Sequence, residues 1–173
     1  REAYALMEAA DCRVRILYIL ALDEQHIGEL LTNNMPIMQR FRATVKSPAW
    51  TILANSTWQW EWLKANLRPD AGLLLGGVNR TIFHPEQVKR DPAKRIILTS
   101  GRKRAREGSG IVASAVALVQ GTYPTATWMT YTGRGYDQDG MRRAYCEAEV
   151  FADGQRYAGW NNPVVEAMAC GCP

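Results

Sequence analysis

The sequence predicts an α/β protein built on parallel sheets, and two observations lead to this class. Short apolar runs such as 16–20, 51–54 and 95–99 are typical of buried strands. Helix-forming stretches lie between these runs, so strands and helices alternate along the chain, as they do in proteins with parallel sheets. Hydrophobic residues make up 47% of the 173 residues, which is enough for a packed core.

The first half of the chain is predicted to hold three strands and three helices. We expect strands at 13–22, 51–54 and 73–75, the end of a helix at 1–10, and helices at 27–45 and 56–67. Pro36 is expected to break the second helix, because proline has no N–H to donate. Ser56 and Gln59 have the spacing of a capping box, which predicts that their side chains bind backbone N–H groups at the start of the third helix.

Two tryptophans of the third helix, Trp58 and Trp62, are one turn apart and share a face. Packing in the core is the default expectation for both side chains. A platform that stacks on a sugar is the alternative, because an aromatic face suits both roles.

The second half of the chain is predicted to form three consecutive strand–helix units. The expected strands are 95–99, 127–131 and 150–153, and the first two helices are expected near 110–120 and 139–147. Right-handed crossovers would place these strands in one parallel sheet, with ligands at their carboxyl ends.

The third unit ends in a short helix with clear boundaries. Asn162 is predicted to cap its N-terminus, with Pro163 at the first helical position, where no N–H is needed. Gly171 is expected to end it in the left-handed conformation. Glu166 is expected in the first turn, beside the unpaired N–H groups that bind anions, where a carboxylate can also accept hydrogen bonds from sugar hydroxyls.

This segment resembles the GT-B glycosyltransferases, and within them the retaining family 4 (glycosyl transferases group 1). The signature of that family is Glu, seven residues, then Glu-Ala-Met-Ala-x-Gly-x-Pro, and residues 166–173 match it throughout. The first Glu of the signature falls at Ala158. The resemblance implies that Glu166 holds the ribose of a nucleotide-sugar. It also implies that the segment Gly159, Trp160, Asn161 and Asn162 lines the pyrophosphate.

A basic loop at 100–108 follows the strand 95–99 and is well placed to bind phosphate, because guanidinium groups match phosphate oxygens. In family 4 the corresponding loop begins with Gly-Arg, as Gly101-Arg102 do here, and ends with Lys-Gly. The Lys position is Glu107 in this chain, a charge reversal, and Arg106, one residue earlier, would supply the cation if the loop shifts by one. Lys103 is also expected to bind the phosphates. A solvated basic loop, or a patch that binds nucleic acid, is the alternative interpretation.

A glycine-containing turn follows the strand 127–131. By resemblance, Gly133 lies near the nucleotide base, although the needs of a turn would explain the Gly133-x-Gly135 pair equally well. No third glycine completes a dinucleotide fingerprint, which counts against an NAD-type oxidoreductase.

The domain organisation follows from the same resemblance. Residues 76–85 are similar to the crossover between the two domains of family 4 enzymes, and 86–94 are polar, as a linker would be. We therefore expect two Rossmann-like α/β/α domains with parallel sheets, both incomplete: 1–85 on the acceptor side, the linker 86–94, and 95–173 on the donor side. The chain begins at Arg1 and stops at Pro173, so we expect an internal fragment of a longer protein.

Composition narrows the class of ligand only slightly. The net charge of +4 and the pI near 9.0 are compatible with phosphate ligands or an anionic membrane surface. No apolar run reaches about 18 residues and no signal peptide is visible, so we expect a cytoplasmic protein, with peripheral contact at the inner membrane face left open. The four cysteines and two histidines lack the spacing of a metal site.

The resemblance implies a retaining glycosyltransferase of the hexosyltransferase type, with Arg102 and Glu166 as its central residues. The donor would be a nucleotide diphosphate sugar and the acceptor a glycan or lipid-linked hydroxyl, in bacterial polysaccharide or cell-envelope synthesis. No metal and no nucleic acid are expected to take part. The alternative is a catalytically degenerate relative that acts as a binding or partner protein, which Ala158 and Glu107 motivate.

Overall fold

The computed structural model describes residues 12–20, 35–88, 91, 93–102, 108–155 and 158–173, with the backbone alone at 35–37. The chain divides into two compact units. The first contains Arg1–Gly76 and Tyr157–Trp160, and the second contains Gly77–Arg156 and Asn161–Pro173. The predicted domain limits at 85 and 95 stay a prediction.

The first unit is a parallel α/β unit. Its described elements are β1 (Ile16–Ile19), α1 (Met35–Lys46), β2 (Thr51–Ala54), α2 (Thr57–Asn66) and β3 (Gly72–Leu73). The sheet order is β1-β2-β3, and both pairings are parallel. Apolar side chains from the strands and from both helices form one core: Ile19, Phe41, Val45, Trp50, Ile52, Ala54, Leu63 and Ala71.

Several predictions for the first unit need correction. Of the strand predicted at 13–22, the described residues form Ile16–Ile19, which pairs with the four residues of β2, and residues 21–22 lie outside the described part of the chain. Pro36 is the second residue of α1, where no N–H is needed, and the interruption predicted there stays a prediction because the residues before Met35 lie outside the described part of the chain. The strand predicted at 73–75 is Gly72–Leu73. The helix end predicted at 1–10 and the first part of the helix predicted at 27–45, residues 27–34, lie outside the described residues.

The predicted capping box at the start of α2 does not form. Ser56 is the N-cap residue, but its side chain makes no capping hydrogen bond. Gln59 is fully buried instead of reaching back to the N-cap, because it shares the inward face of α2 with Leu63, one turn later. Tertiary packing therefore overrides the local signal. The expectation of core packing for Trp58 and Trp62 is confirmed, since both pack against the core of the first unit.

The second unit is also a parallel α/β unit. Its described elements are β4 (Arg95–Thr99), α3 (Ser109–Thr122), β5 (Ala126–Thr130), α4 (Gln138–Glu147), β6 (Val150–Phe151) and α5 (Asn162–Ala169). The sheet order is β5-β4-β6, with β4 in the centre and every pairing parallel. The three predicted strand–helix units are therefore confirmed, with boundaries that shift by one or two residues. The main core contains Phe83, Leu98, Ala144, Tyr145, Cys146, Ala148, Phe151, Ala167, Cys170 and Cys172.

The ends of α5 differ in how well the sequence predicted them. The N-cap is Asn161 and not Asn162, so the helix begins one residue early and Pro163 is its second residue. Gly171 has the predicted left-handed conformation, with φ of 74°. The N–H of Cys172 donates to the carbonyl of Ala167, and the N–H of Gly171 to that of Met168, which is the Schellman arrangement.

The chain returns to the sheet directly after α5. The N–H of Phe151 in β6 donates to the carbonyl of Pro173 at 2.9 Å. The helix that carries Glu166 is thus tied to β6 through the residues that follow it. In the part of the chain that the structure describes, no helix is long and apolar enough to cross a membrane.

Candidate functional site

The second unit has a topological switch point beside its central strand. From β4 the chain continues to β5, which pairs with one edge of β4. It later returns as β6, which pairs with the opposite edge of β4. In open parallel sheets, the connections diverge at such a point and leave a crevice at the carboxyl ends of the strands. A ligand site is therefore expected where β4 and β6 end.

A small pocket of about 20 Å³ lies at this position. Thr99, Ser100 and Gly101 line it from the end of β4, and Asp153 and Gly154 line it from the end of β6. The rest of its wall comes from α3, from β5 and from the residue that follows β6: Ser109, Val112, Trp128 and Ala152. The Trp128 indole N–H donates to the Thr99 hydroxyl at 2.9 Å, which fixes both side chains in the wall.

A larger cleft of about 420 Å³ runs along α3 and β6. Its lining is mainly aliphatic, with Ile111, Val116 and Val119 from α3 and Val150 from β6. An aliphatic lining of this kind offers few hydrogen-bond donors to a diphosphate.

Backbone contact closes one side of the small pocket. A Cβ on Gly154 would lie 2.6 Å from the carbonyl oxygen of Gly108 and 2.9 Å from Val112 Cγ2. Gly108 has a left-handed φ of 62° and is the N-cap residue of α3. The loop after β6 therefore packs directly on the start of α3, and both positions require glycine.

Two helix N-termini in the second unit lack a side-chain cap. Gly108, at the start of α3, has no side chain to offer, and the Asn161 side chain does not cap α5. Uncapped first-turn N–H groups, together with the positive end of the helix dipole, favour an anion. Both helix starts are therefore suited to phosphate oxygens.

A polar cluster joins the end of β6 to the start of α5. The Asn161 amide donates to the Asp153 carboxylate and also, at 3.3 Å, to Gln155 Oε1. The backbone N–H of Gln155 donates to Asp153 Oδ1 at 3.3 Å. Because Asp153 lines the small pocket, this cluster places the start of α5 next to it. It also brings one negative charge to a pocket suited to anions.

Glu166 lies on α5, one position further into the helix than predicted. It is the fifth residue of the helix and so belongs to the second turn, which corrects the first-turn expectation. The carboxylate is half-buried, and its Oε2 accepts a hydrogen bond from the Tyr145 hydroxyl at 3.2 Å. Desolvation raises the pKa of Glu166, whereas the Tyr145 hydroxyl acts to lower it.

Other predicted site residues of the second unit follow strands β4 and β5. Arg102 is exposed, and its backbone N–H donates to the Ser100 hydroxyl at 3.4 Å. Gly133 follows β5 with a left-handed φ of 83°, so a turn requirement alone already calls for glycine there. Asn162 is the exposed first residue of α5. Lys103, Arg106 and Glu107 lie outside the described residues.

Gly159 and Trp160 belong to the first unit together with Ala158. The Trp58 indole N–H donates to the Ala158 carbonyl at 2.8 Å. A Cβ on Gly159 would lie 2.8 Å from Gln59 Nε2, and the Trp160 ring covers the backbone of Gly76. The segment 158–160 is thus packed tightly against its own unit, which leaves its predicted role at a pyrophosphate as a prediction.

The sequence analysis missed two residues of the site, Asp153 and Tyr145. Asp153 could have been found, since a polar residue directly after a buried strand lies at the ligand end of a parallel sheet. Tyr145 gave no such signal. Its contact with Glu166 spans 21 residues and depends on how α4 and α5 pack.

Three buried thiols pack close to this region in the core of the second unit. Cys146 Sγ lies 3.8 Å from the Cys170 carbonyl oxygen, and Cys172 Sγ lies 3.8 Å from that of Ala148. Burial and the neighbouring Cys146 raise the pKa of Cys170 to about 12, so its thiol stays protonated at neutral pH.

Comparison with known proteins supports the fold. No protein-family model and no curated protein matches the sequence. Among solved structures, the chain is similar to the sucrose-phosphate synthase from Thermosynechococcus elongatus, with a TM-score of 0.70 at 17% sequence identity. The likeness covers 99% of this chain and 51% of that protein, so the chain spans about half its length. The predicted α/β fold class of the GT-B type is thereby confirmed.

Proposed function

We propose that this chain is part of a retaining glycosyltransferase and that its second unit binds a nucleotide diphosphate sugar. The observation that carries the proposal is the pair of uncapped helix N-termini beside the switch point of the β5-β4-β6 sheet. The similarity of the whole chain to a sucrose-phosphate synthase, together with the Glu-Ala-Met-Ala-x-Gly-x-Pro match at 166–173, supports it.

The diphosphate is the part of the donor that these helix starts recognise. Its negative charge is stabilised by the free N–H groups of α3 and α5 and by the dipoles of both helices. Arg102 follows β4 and is exposed, so its guanidinium is free to reach a phosphate oxygen. Lys103, Arg106 or both supply further positive charge in this proposal.

The ribose is held by Glu166. A carboxylate accepts hydrogen bonds from two neighbouring hydroxyls, and the half-buried site strengthens such bonds by excluding water. Burial removes water from the Glu166 carboxylate and raises its pKa. Hydrogen bonds from ribose hydroxyls would replace that lost hydration.

The reaction moves the sugar from the nucleotide diphosphate to an acceptor hydroxyl with retention at the anomeric carbon. Its main requirement is stabilisation of the leaving diphosphate, which preplaced N–H groups and Arg102 provide as charge develops. The proposed acceptor is a glycan or a lipid-linked hydroxyl of bacterial polysaccharide or cell-envelope synthesis. In this scheme the protein's own cations do the work of a metal.

A second candidate function is binding of the donor without turnover. Ala158 replaces the acidic residue that, by resemblance, contacts the transferred sugar, and its carbonyl is bound by Trp58 within the first unit. A protein of this kind would retain affinity for the diphosphate and act as a partner subunit.

Isothermal titration of the full-length protein with UDP, GDP, ADP and NAD tests the proposal. Binding of one nucleoside diphosphate, with NAD much weaker, is the expected result and names the donor base. Failure to bind any of the three diphosphates would refute both candidates. Turnover of the matching nucleotide-sugar, measured as diphosphate release, then separates the enzyme from the degenerate relative.

Two substitutions that should change the diphosphate affinity in opposite directions test where the diphosphate binds. Arg102→Ala should weaken diphosphate binding by about 1.5–3 kcal/mol, the scale of a charge-assisted hydrogen bond. Asp153→Asn should strengthen it by up to about 1 kcal/mol, because it removes a negative charge from the pocket. Arg95→Ala is the matched control, since Arg95 begins the same strand at the opposite end. If Arg95→Ala and Arg102→Ala changed the diphosphate affinity equally, the diphosphate would not bind beside Arg102.

A further inference from the structure

The Tyr145 side chain is held rigidly within the second unit. It is fully buried on α4, and its ring makes edge contacts with Phe83 and Phe151, at centroid distances of 6.2 Å and 5.5 Å. Phe151 comes from β6 and Phe83 from the connection before β4, so two separate segments pack on the ring and hold it in place. The position of the hydroxyl is therefore set by the core.

The hydroxyl of Tyr145 points out of this core toward Glu166. It donates to Glu166 Oε2 at 3.2 Å, and burial, with the nearby Glu166 charge, raises the pKa of Tyr145, so the hydroxyl keeps its proton. The other titratable groups that act on Tyr145 are Tyr131, at the end of β5, and Cys170, at the end of α5. Among the described residues, no cation forms an ion pair with Glu166.

Glu166 is thus anchored through one of its two oxygens. Among the described residues no other hydrogen bond to the Glu166 carboxylate is formed, so its remaining lone pairs are open to a ligand, and the bond from Tyr145 favours one orientation of the carboxylate. A vicinal diol has two hydroxyl donors a fixed distance apart. It binds more tightly to an acceptor that is already oriented, because less conformational freedom is lost on binding.

We propose that Tyr145 is a positioning residue that orients the Glu166 carboxylate toward both ribose hydroxyls of the nucleotide. This inference rests on the proposed function. It makes Tyr145 a determinant of ribose recognition, although the tyrosine itself makes no contact with the ligand.

The test compares a ribonucleoside diphosphate with its 2′,3′-dideoxy analogue by titration of the full-length protein. Wild-type protein should prefer the ribonucleotide by at least about tenfold, which corresponds to one hydrogen bond to a charged group. Tyr145→Phe should lose most of this preference while its affinity for the dideoxy analogue stays unchanged. Tyr18→Phe, which removes a hydroxyl that donates to the Leu74 carbonyl in the first unit, should keep the full preference.

The Tyr145→Phe substitution made in the Glu166→Gln variant tests whether Tyr145 acts through Glu166. In Glu166→Gln protein, the added Tyr145→Phe change should leave the ratio of the two affinities unaltered, because the anchored carboxylate is already gone. Thermal unfolding of Tyr145→Phe accompanies each titration. A variant that melts like the wild type yet loses ribose preference separates positioning from a structural role.

The outcomes distinguish the two levels of the proposal. If wild-type protein binds no nucleoside diphosphate, the proposed function fails and the inference fails with it. If the wild type binds and Tyr145→Phe weakens both ligands by the same factor, or changes neither, the inference alone is overturned.

Discussion

The strand-to-helix junctions of the two units differ in whether their polar side chains have hydrogen-bond partners. In the first unit, two residues connect β2 to α2, and Asn55, Ser56 and Gln59 are all buried. Asn55 Oδ1, Ser56 Oγ and both amide atoms of Gln59 have no hydrogen-bond partner within the described structure. In the second unit, the longer connection from β6 to α5 pairs Asp153, Gln155 and Asn161 with one another.

The difference shows what loop length does for a polar junction. A connection of two residues enters the helix at once, so the packing of the helix decides where its polar side chains point. A longer loop can fold back, and its side chains then find donors and acceptors in the same loop. The first junction carries a desolvation cost, whereas the second is satisfied and remains partly open to solvent.

The largest predicted effect concerns the backbone contact that closes the second junction. Gly154→Ala should lower the free energy of unfolding by about 1–3 kcal/mol, because its Cβ would lie 2.6 Å from the Gly108 carbonyl oxygen. Gly121→Ala, on α3, meets no atom within 4 Å and should instead stabilise the protein by about 0.5–1 kcal/mol. Urea denaturation measures both, and an equal response would mean that the glycine contact is unimportant.

The next effect contrasts an unsatisfied amide with a satisfied one. Gln59→Met keeps the length of the side chain and removes two buried polar atoms without partners, so it should stabilise the first unit by about 1 kcal/mol. Asn161→Leu removes the partner of Asp153 and should destabilise the second unit by a similar amount. Melting temperatures of both variants check the pair. Loss of stability in Gln59→Met would show that its amide is paired in solution.

A smaller effect contrasts two helix caps. Asp137 caps α4 through a hydrogen bond from the Gly140 N–H at 2.8 Å, so Asp137→Ala should cost about 1 kcal/mol. Ser56→Ala should cost almost nothing, because the Ser56 side chain makes no capping bond. Chemical denaturation of the two alanine variants measures the difference, and a cost for Ser56→Ala as large as that for Asp137→Ala would contradict the interpretation.

The smallest effect depends on pH and concerns Glu166, which is only half-buried. Its pKa is raised on folding, so the ionised form opposes folding, and this penalty grows as pH rises from the unfolded value of about 4.5 through the folded pKa. Glu166→Gln should therefore raise the melting temperature slightly at pH 8 and leave it unchanged at pH 3.5. A gain that is the same at both pH values would assign the effect to packing.

Local sequence patterns predicted the order of elements and much of the ligand end of the second sheet. Apolar runs located β2 and β4 because both strands are short and carry buried apolar side chains. Arg102 and Glu166 were selected by motif, and the structure places them after β4 and on α5 of the same unit. The patterns sufficed wherever local chemistry decides the conformation, as at Gly171.

What the sequence could not predict depends on contacts between distant segments. The inward direction of Gln59 follows from the packing of α2 on its sheet, which a capping signature does not contain. The contact between Tyr145 and Glu166, and the approach of Gly154 to Gly108, join residues 21 and 46 positions apart. Such contacts are visible only once the strand order is known.

The hydrogen bond from the Phe151 N–H to the Pro173 carbonyl makes the helix of Glu166 observable by hydrogen exchange. The Phe151 amide is protected only while Pro173, after α5, is docked on β6, whereas the Cys172 amide is bonded within the end of α5 through the Ala167 carbonyl. Exchange of the Phe151 amide should therefore report undocking of this segment, and exchange of the Cys172 amide should report fraying of the helix end. A nucleotide that binds Glu166 only while α5 is docked should slow exchange of the Phe151 amide, and the size of that change measures the binding.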